Sequence, residues 1–159
     1  MTRPRYGKGR SWNSSTIWAA DTNVLVLPPE LHREITAHAR AGLPNEACGL
    51  LAGELRGEEG LVKAVYGLEN TDRSPEHFSM APEDQFRVIG DIRKKGLVLL
   101  GNFHSHPVTP ARPSEEDKRL AFDPSLSYVI ISLKDGEPAL KSFAVKKGSA
   151  EEEAVELTN

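Results

Sequence analysis

The sequence predicts an α+β fold: a mixed α/β sandwich in which a central, mostly antiparallel sheet is flanked by helices. Three observations predict it. Short apolar or alternating runs recur between Gly, Pro and Asn clusters, as strands do. Two stretches opened by proline carry helical periodicity. Glycine-bearing turns at 57–60 and 134–136 join neighbouring runs into hairpins. At 159 residues, 38% hydrophobic and 27% charged, the chain suits one domain with one sizeable core, and it shows no repeats.

Residues 1–21 are polar and rich in Ser, Arg and Gly, and are expected as a flexible basic tail. Arg3, Arg5, Lys8 and Arg10 stand there without an acid in residues 1–20, and both tryptophans, Trp12 and Trp18, fall in it. Residues 22–147 form the expected domain, and 148–159, with Glu151, Glu152, Glu153 and Glu156, an acidic tail in which AVEL (154–157) could pair along an edge.

Within the domain NVLVL (23–27) reads as a short strand, and Pro28–Pro29 open a helix with Leu31, Ile35, His38 and Ala39 on one stripe, ended by Gly42. His38 on that stripe reads as a hydrogen-bonded core histidine. From Ala47, ACGLLAG is a small, apolar strand expected to run through the sheet centre. LRGEEGL (55–61) turns the chain into a return strand at 61–68. After a loop at 69–77, HFSM is expected as a brief edge strand. Pro82 starts a second helix with Phe86, Ile89 and Ile92 inward, acids early and bases late. GLVLLGNF (96–103) and LSYVIIS (126–132) read as core strands, and PALKSFAV (138–145) as the partner of the second.

The segment FHSHPVTPARPSEEDK (103–118) carries the chemistry. His104 and His106 lie two apart at a strand end, so their side chains share a face, with Cα atoms about 6.6 Å apart. The three prolines of PVTPARP exclude strand or helix interior. Ser114 then sits as N-cap of a helix with Asp117 one turn in. A His-x-His pair carries little weight by itself, and Ser-x-x-Asp is equally a capping box; the capping and ligand roles are compatible. Two imidazoles and a carboxylate with an open fourth position make the ligand set of a catalytic zinc site, whereas structural sites are closed, usually with cysteines, and this chain has one.

His-x-His, seven residues, then Ser-x-x-Asp resembles the signature of the JAMM (MPN-plus) metalloproteases, and EACGLLAG (46–53) resembles the segment that supplies that family's glutamate. The resemblance covers roughly residues 22–147. It implies an MPN/JAMM-like (cytidine-deaminase-like) fold, Zn2+ held by His104, His106 and Asp117, Glu46 as general base, and Ser114 as donor to the oxyanion. It further implies hydrolysis of an amide by metal-activated water. The compact form, without room for an insertion after Asp117, looks most like bacterial-type enzymes that trim the C-terminal diglycine tail of ubiquitin-like sulfur carriers. Asn70 to Pro75 is then the expected place for tail contacts. Two other readings stand beside it: a DNA-repair-associated relative, which usually has HNHP and lacks an EACGLL-like strand, and a non-catalytic module that binds the carrier, which typically has lost metal ligands.

Composition sets outer bounds. Net charge is −3, without a basic stripe bearing interleaved aromatics, which argues against nucleic acid as the partner. No apolar run approaches the ~18 residues of a membrane span, and no apolar signal-peptide core is evident. The single cysteine, Cys48, excludes an internal disulfide and fits a reducing cytoplasm. Cys48 reads as core packing, since nothing nearby would acidify a nucleophilic thiol.

Overall fold

A computed structural model describes residues 22–158. The expected tail at 1–21, with Trp12 and Trp18, lies outside them. The elements run β1 (Val24–Val26), α1 (Pro29–Ala41), β2 (Cys48–Arg56), β3 (Glu59–Leu68), α2 (Pro82–Lys94), β4 (Val98–His106), α3 (Glu115–Leu120), β5 (Ser127–Ser132), β6 (Ala139–Lys146) and β7 (Ser149–Glu156). The strands close into a barrel in the order β1-β3-β2-β4-β5-β6-β7.

The sequence predicts a mixed sandwich with a mostly antiparallel sheet flanked by helices; the sheet is instead a closed mixed barrel, with four of its seven pairings antiparallel. Three of the seven pairings are parallel: β1 with β3, β1 with β7, and β4 with β5. The closing strand is the segment expected as an acidic tail. β7 pairs antiparallel with β6 along Ser142↔Glu153 to Lys146↔Ser149, and parallel with β1. Its glutamates hid it because a run of consecutive acids shows no alternation of apolar and polar residues: Glu152 and Glu156 stand on one face, Glu151 and Glu153 on the other. Glu153 alone of them is buried.

The main core lies on the face that takes α1. Leu31, Ile35 and Ala39 of the helix pack with Leu25, Leu51, Leu100, Phe103, Val129 and Ile131. Strand alternation sends Leu50, Ala52 and Leu99 to the opposite face, where Val88 and Ile92 of α2 cover them. Of the residues of α2 expected inward, Ile92 is buried, Ile89 is half-buried and Phe86 faces solvent. Phe86 is 79% exposed, and Val88 and Ile92, spaced i and i+4, form the docking stripe. Apolar residues occur around this helix, and the pairing with β4 decides which of them face in.

β2 runs between β3 and β4, as its unbroken apolar run predicts. His38 is the hydrogen-bonded histidine expected: its Nε2 lies 3.0 Å from the Cys48 carbonyl and 3.3 Å from that of Leu68. Gly67 leaves the space it fills, since a Cβ there would come within 2.7 Å of the imidazole. The expected edge strand at HFSM is instead coil. It is tied back by Thr71 N–H donating to the Ser79 carbonyl at 2.9 Å.

Candidate metal and hydrolytic site

β4 continues through His106, so both histidines are strand residues on the face opposite α1, and both are buried. Asp117 reaches them from α3. Ser114 caps that helix: its Oγ accepts from Asp117 N–H at 2.9 Å, while its own N–H donates to Asp117 Oδ2 at 3.0 Å. The capping box therefore aims the carboxylate, and the two roles open to Ser114 and Asp117 coexist in the geometry.

The three side chains converge. Asp117 Oδ2 lies 3.1 Å from His104 Nε2 and 3.2 Å from His106 Nε2, and the two nitrogens are 3.2 Å apart. A tetrahedral ion at 2.0–2.1 Å from each ligand needs mutual separations of about 3.3 Å. Among the described residues, these three form a grouping compatible with a metal ion. The tautomer agrees. His106 Nδ1 donates to the Pro110 carbonyl at 2.8 Å, which leaves the Nε2 lone pair for a cation. The prolines after His106 thus return a carbonyl to it.

The titration behaviour of the cluster has the same origin. Burial holds the His104 imidazolium below its ordinary range, against the pull of Asp117. Burial also works against protonation of His106, but the Asp117 carboxylate and the Pro110 carbonyl outweigh it and raise the pKa. Burial alone would raise Asp117; the two imidazoles and Ser114 N–H hold it far below the usual carboxylate range instead. Lone pairs and negative charge meet at one point, and a cation satisfies them.

Glu46 stands just before β2, 6% exposed. Its Oε1 is buried without a hydrogen-bond partner among the described residues. Burial, only partly offset by His106, pushes its pKa up to about 8. The backbone fixes its place from two sides. Glu46 N–H donates to the Ser74 carbonyl at 2.8 Å, and Asn70 Nδ2 donates to the Glu46 carbonyl at 2.9 Å.

Asn70 opens the stretch 70–75 in which tail contacts are expected, and its own side chain is turned inward. The residue is buried, and its amide is spent inside the loop. Nδ2 also donates to the His77 carbonyl, and Oδ1 accepts from Asp72 and Ser79 N–H. Asp72 and Arg73 remain exposed there. Two further contacts escaped the sequence reading because they join distant segments. Phe78 stacks on the His104 ring, centroids 4.6 Å apart, and His77 Nδ1 meets Glu116 Oε1 at 2.9 Å. Cys48 is fully buried, its thiol directed at the Leu68 and Glu69 carbonyls, and burial pushes its pKa up to about 12. That excludes a nucleophilic thiolate.

A closed mixed barrel with a His-His-Asp cluster beside a buried carboxyl defines a JAB-type protein. Residues 28–146 match the family described as prokaryotic homologs of the JAB domain, and the chain belongs to it. It is 33% identical over 135 residues to the CysO-cysteine peptidase of Mycobacterium tuberculosis, covering 84% of this chain and 91% of that protein. It is 32% identical over 126 residues to a probable TtuB-protein conjugate cleaving protease of Thermus thermophilus, covering 79% and 78%. A Desulfitobacterium hafniense protein solved in solution shares 57% identity at a TM-score of 0.80, over 85% of this chain and 93% of that one. The crystal structure of a JAB1/MPN domain protein from Archaeoglobus fulgidus, 23% identical with a TM-score of 0.53 over 85% and 99%, shares the fold. No helix among the described residues is long and apolar enough to cross a membrane.

Proposed function

We propose that this protein is a zinc-dependent peptidase that hydrolyses an amide bond at the C-terminal diglycine of a ubiquitin-like sulfur-carrier protein. The proposed ligands are His104, His106 and Asp117, and the proposed catalytic residues are Glu46 and Ser114. One observation carries the reading: three ligand atoms at zinc spacing beside a buried, unpartnered Glu46 oxygen. The names of the mycobacterial and Thermus relatives, a cysteine peptidase and a conjugate-cleaving protease, support amide hydrolysis at a carrier terminus.

Zinc held there supplies a Lewis acid and a water of pKa about 7. Glu46 accepts the proton of the attacking water at its free Oε1 and returns it to the leaving amine. A carboxyl whose pKa lies near neutrality suits both transfers. Ser114 Oγ accepts Asp117 N–H and keeps its own O–H to donate to the developing oxyanion. Phe78, stacked on the His104 ring, and Pro113 line the space beside His104. The free, buried Cys48 supports a reducing cytoplasm as the setting.

The test is a ubiquitin-like sulfur carrier extended by one residue beyond its diglycine, followed by intact mass. The zinc-loaded wild type removes the extra residue and Glu46→Gln does not. A zinc-loaded wild type that leaves every such carrier intact overturns the proposal.

A further inference from the structure

A cleft of about 320 Å3 opens from the site and is shared with it, since His104 and Asp117 line its inner end. Its floor is the outer face of the barrel, where Asn102, Tyr128 and Val145 follow His104 across β4, β5 and β6. Leu120 and Phe122 form the outer wall. They are 49% and 82% exposed, large apolar side chains left in water at the rim. The volume lies at the small end of ligand pockets, about 300–1,000 Å3.

The cleft has a direction. The charged groups facing Glu46 are His106, Asp117, His77 and Glu116. Neither Glu46 nor His106 lines the cleft. It therefore leaves the site on the His104 side, away from the proton carrier. Glu46 gives its proton to the leaving amine, so the leaving group lies on the Glu46 side and the acyl chain runs into the cleft. The last two acyl residues are glycines and have no side chains to fill it. In an extended tail the residue before them stands about 6.6 Å from the final glycine, the same stride that separates His104 from Asn102 on β4.

We propose that this cleft is a specificity subsite that takes an aliphatic or aromatic side chain from the tail residue immediately before the diglycine. The proposal rests on the peptidase reading above and adds to it the substrate side chain that is selected. Tyr128 and Val145 meet that side chain from below, and Leu120 and Phe122 close over it. Gln85 and Ser79 line the margin, their side chains donating to the Met80 carbonyl and to Asp72.

The test uses short synthetic peptides ending X-Gly-Gly-Cys, with X as Leu, Phe, Ala or Asp, on the zinc-loaded protein. Leu and Phe are expected to raise kcat/KM over Ala by about tenfold or more, the scale on which apolar pockets discriminate. The gain should sit in KM, and Asp should fall below Ala. The double variant Leu120→Ser, Phe122→Ser changes exposed positions only. It should erase the Leu preference, bringing the ratio of kcat/KM for the Leu and Ala peptides to about one. Equal kcat/KM for Leu and Ala, or a preference that follows the residue after the scissile bond, overturns the proposal. If no peptide is cleaved, the peptidase reading fails by itself, and binding to the metal-free protein still judges the cleft. NMR shifts at Asn102, Tyr128 and Val145 that saturate with the Leu peptide and are absent with the Ala peptide uphold it; identical responses to both overturn it.

Discussion

The carbonyl of Pro110 decides how His106 can act, because it fixes the proton on Nδ1 and turns the Nε2 lone pair toward His104 and Asp117. Glu46 is governed by the opposite circumstance: its Oε1 has no hydrogen-bond partner among the described residues, and burial pushes its pKa up to about 8. These two conditions separate the proposed roles, and mutation should separate them too. Glu46→Gln keeps the shape and loses the titration. It is expected to bind zinc as the wild type does while kcat falls by about 10²–10⁴-fold, the usual worth of a general base. Steady-state kinetics with metal analysis checks both halves. Ser114→Ala is expected to lower kcat by about 10²–10³-fold, as loss of an oxyanion donor does, with KM little changed. It should also cost about 1 kcal/mol of stability through the lost cap, read from the denaturant midpoint.

At the scale of elements, the site is assembled by a strand end, a capped helix and a loop, and the loop hangs on Asn70. Its side chain serves two carbonyls and two amides, spanning Glu46 to Ser79. Asn70→Ala leaves the buried Glu46 carbonyl and three part-buried groups without this partner, so a loss of about 1–3 kcal/mol is expected in chemical denaturation. Activity should drop as Glu46 and Phe78 lose their setting, whereas Asp72→Ala, on the exposed side of the same loop, should change little. Much of this level was legible in the sequence. His104, His106, Ser114 and Asp117 are held by local rules of strand alternation and helix capping, and those rules act over a few residues. The hub role of Asn70 was not legible, because it depends on Glu46 lying beside His77, and sequence spacing does not report that. Phe86 misled for a related reason: α2 has apolar residues around its circumference, and only docking on β4 chooses Val88 and Ile92.

The whole molecule is a closed barrel, and its closure explains what the sequence concealed most. An acidic C-terminal run reads as a solvated tail, yet Ser149–Glu156 joins β6 to β1 and completes the ring. Glu153 is the buried member of that strand, with Ser127, Ser142 and Thr22 donating to its carboxylate. Burial nevertheless raises its pKa above the ordinary 4.5, the three hydroxyls only partly offsetting it. The folded state therefore holds this proton more tightly than the unfolded chain. The stabilisation is complete below 4.5 and is lost as pH rises through the raised folded value. Glu153→Gln keeps an oxygen acceptor for Ser127 and Ser142 and removes the titration. Stability measured against pH should be flatter in this variant over that interval; identical profiles would count against the buried carboxylate.

The ring matters to function because it sets β4 beside both β2 and β5, so that Glu46, the histidines and the cleft meet at one end of the barrel. The central claim is that this meeting point holds a metal. Native mass spectrometry of the zinc-supplied wild type and Asp117→Asn tests it most directly. One zinc per wild-type chain, lost or much weakened in the variant while both remain folded, is the predicted result. A folded wild type that takes up no zinc would contradict the account.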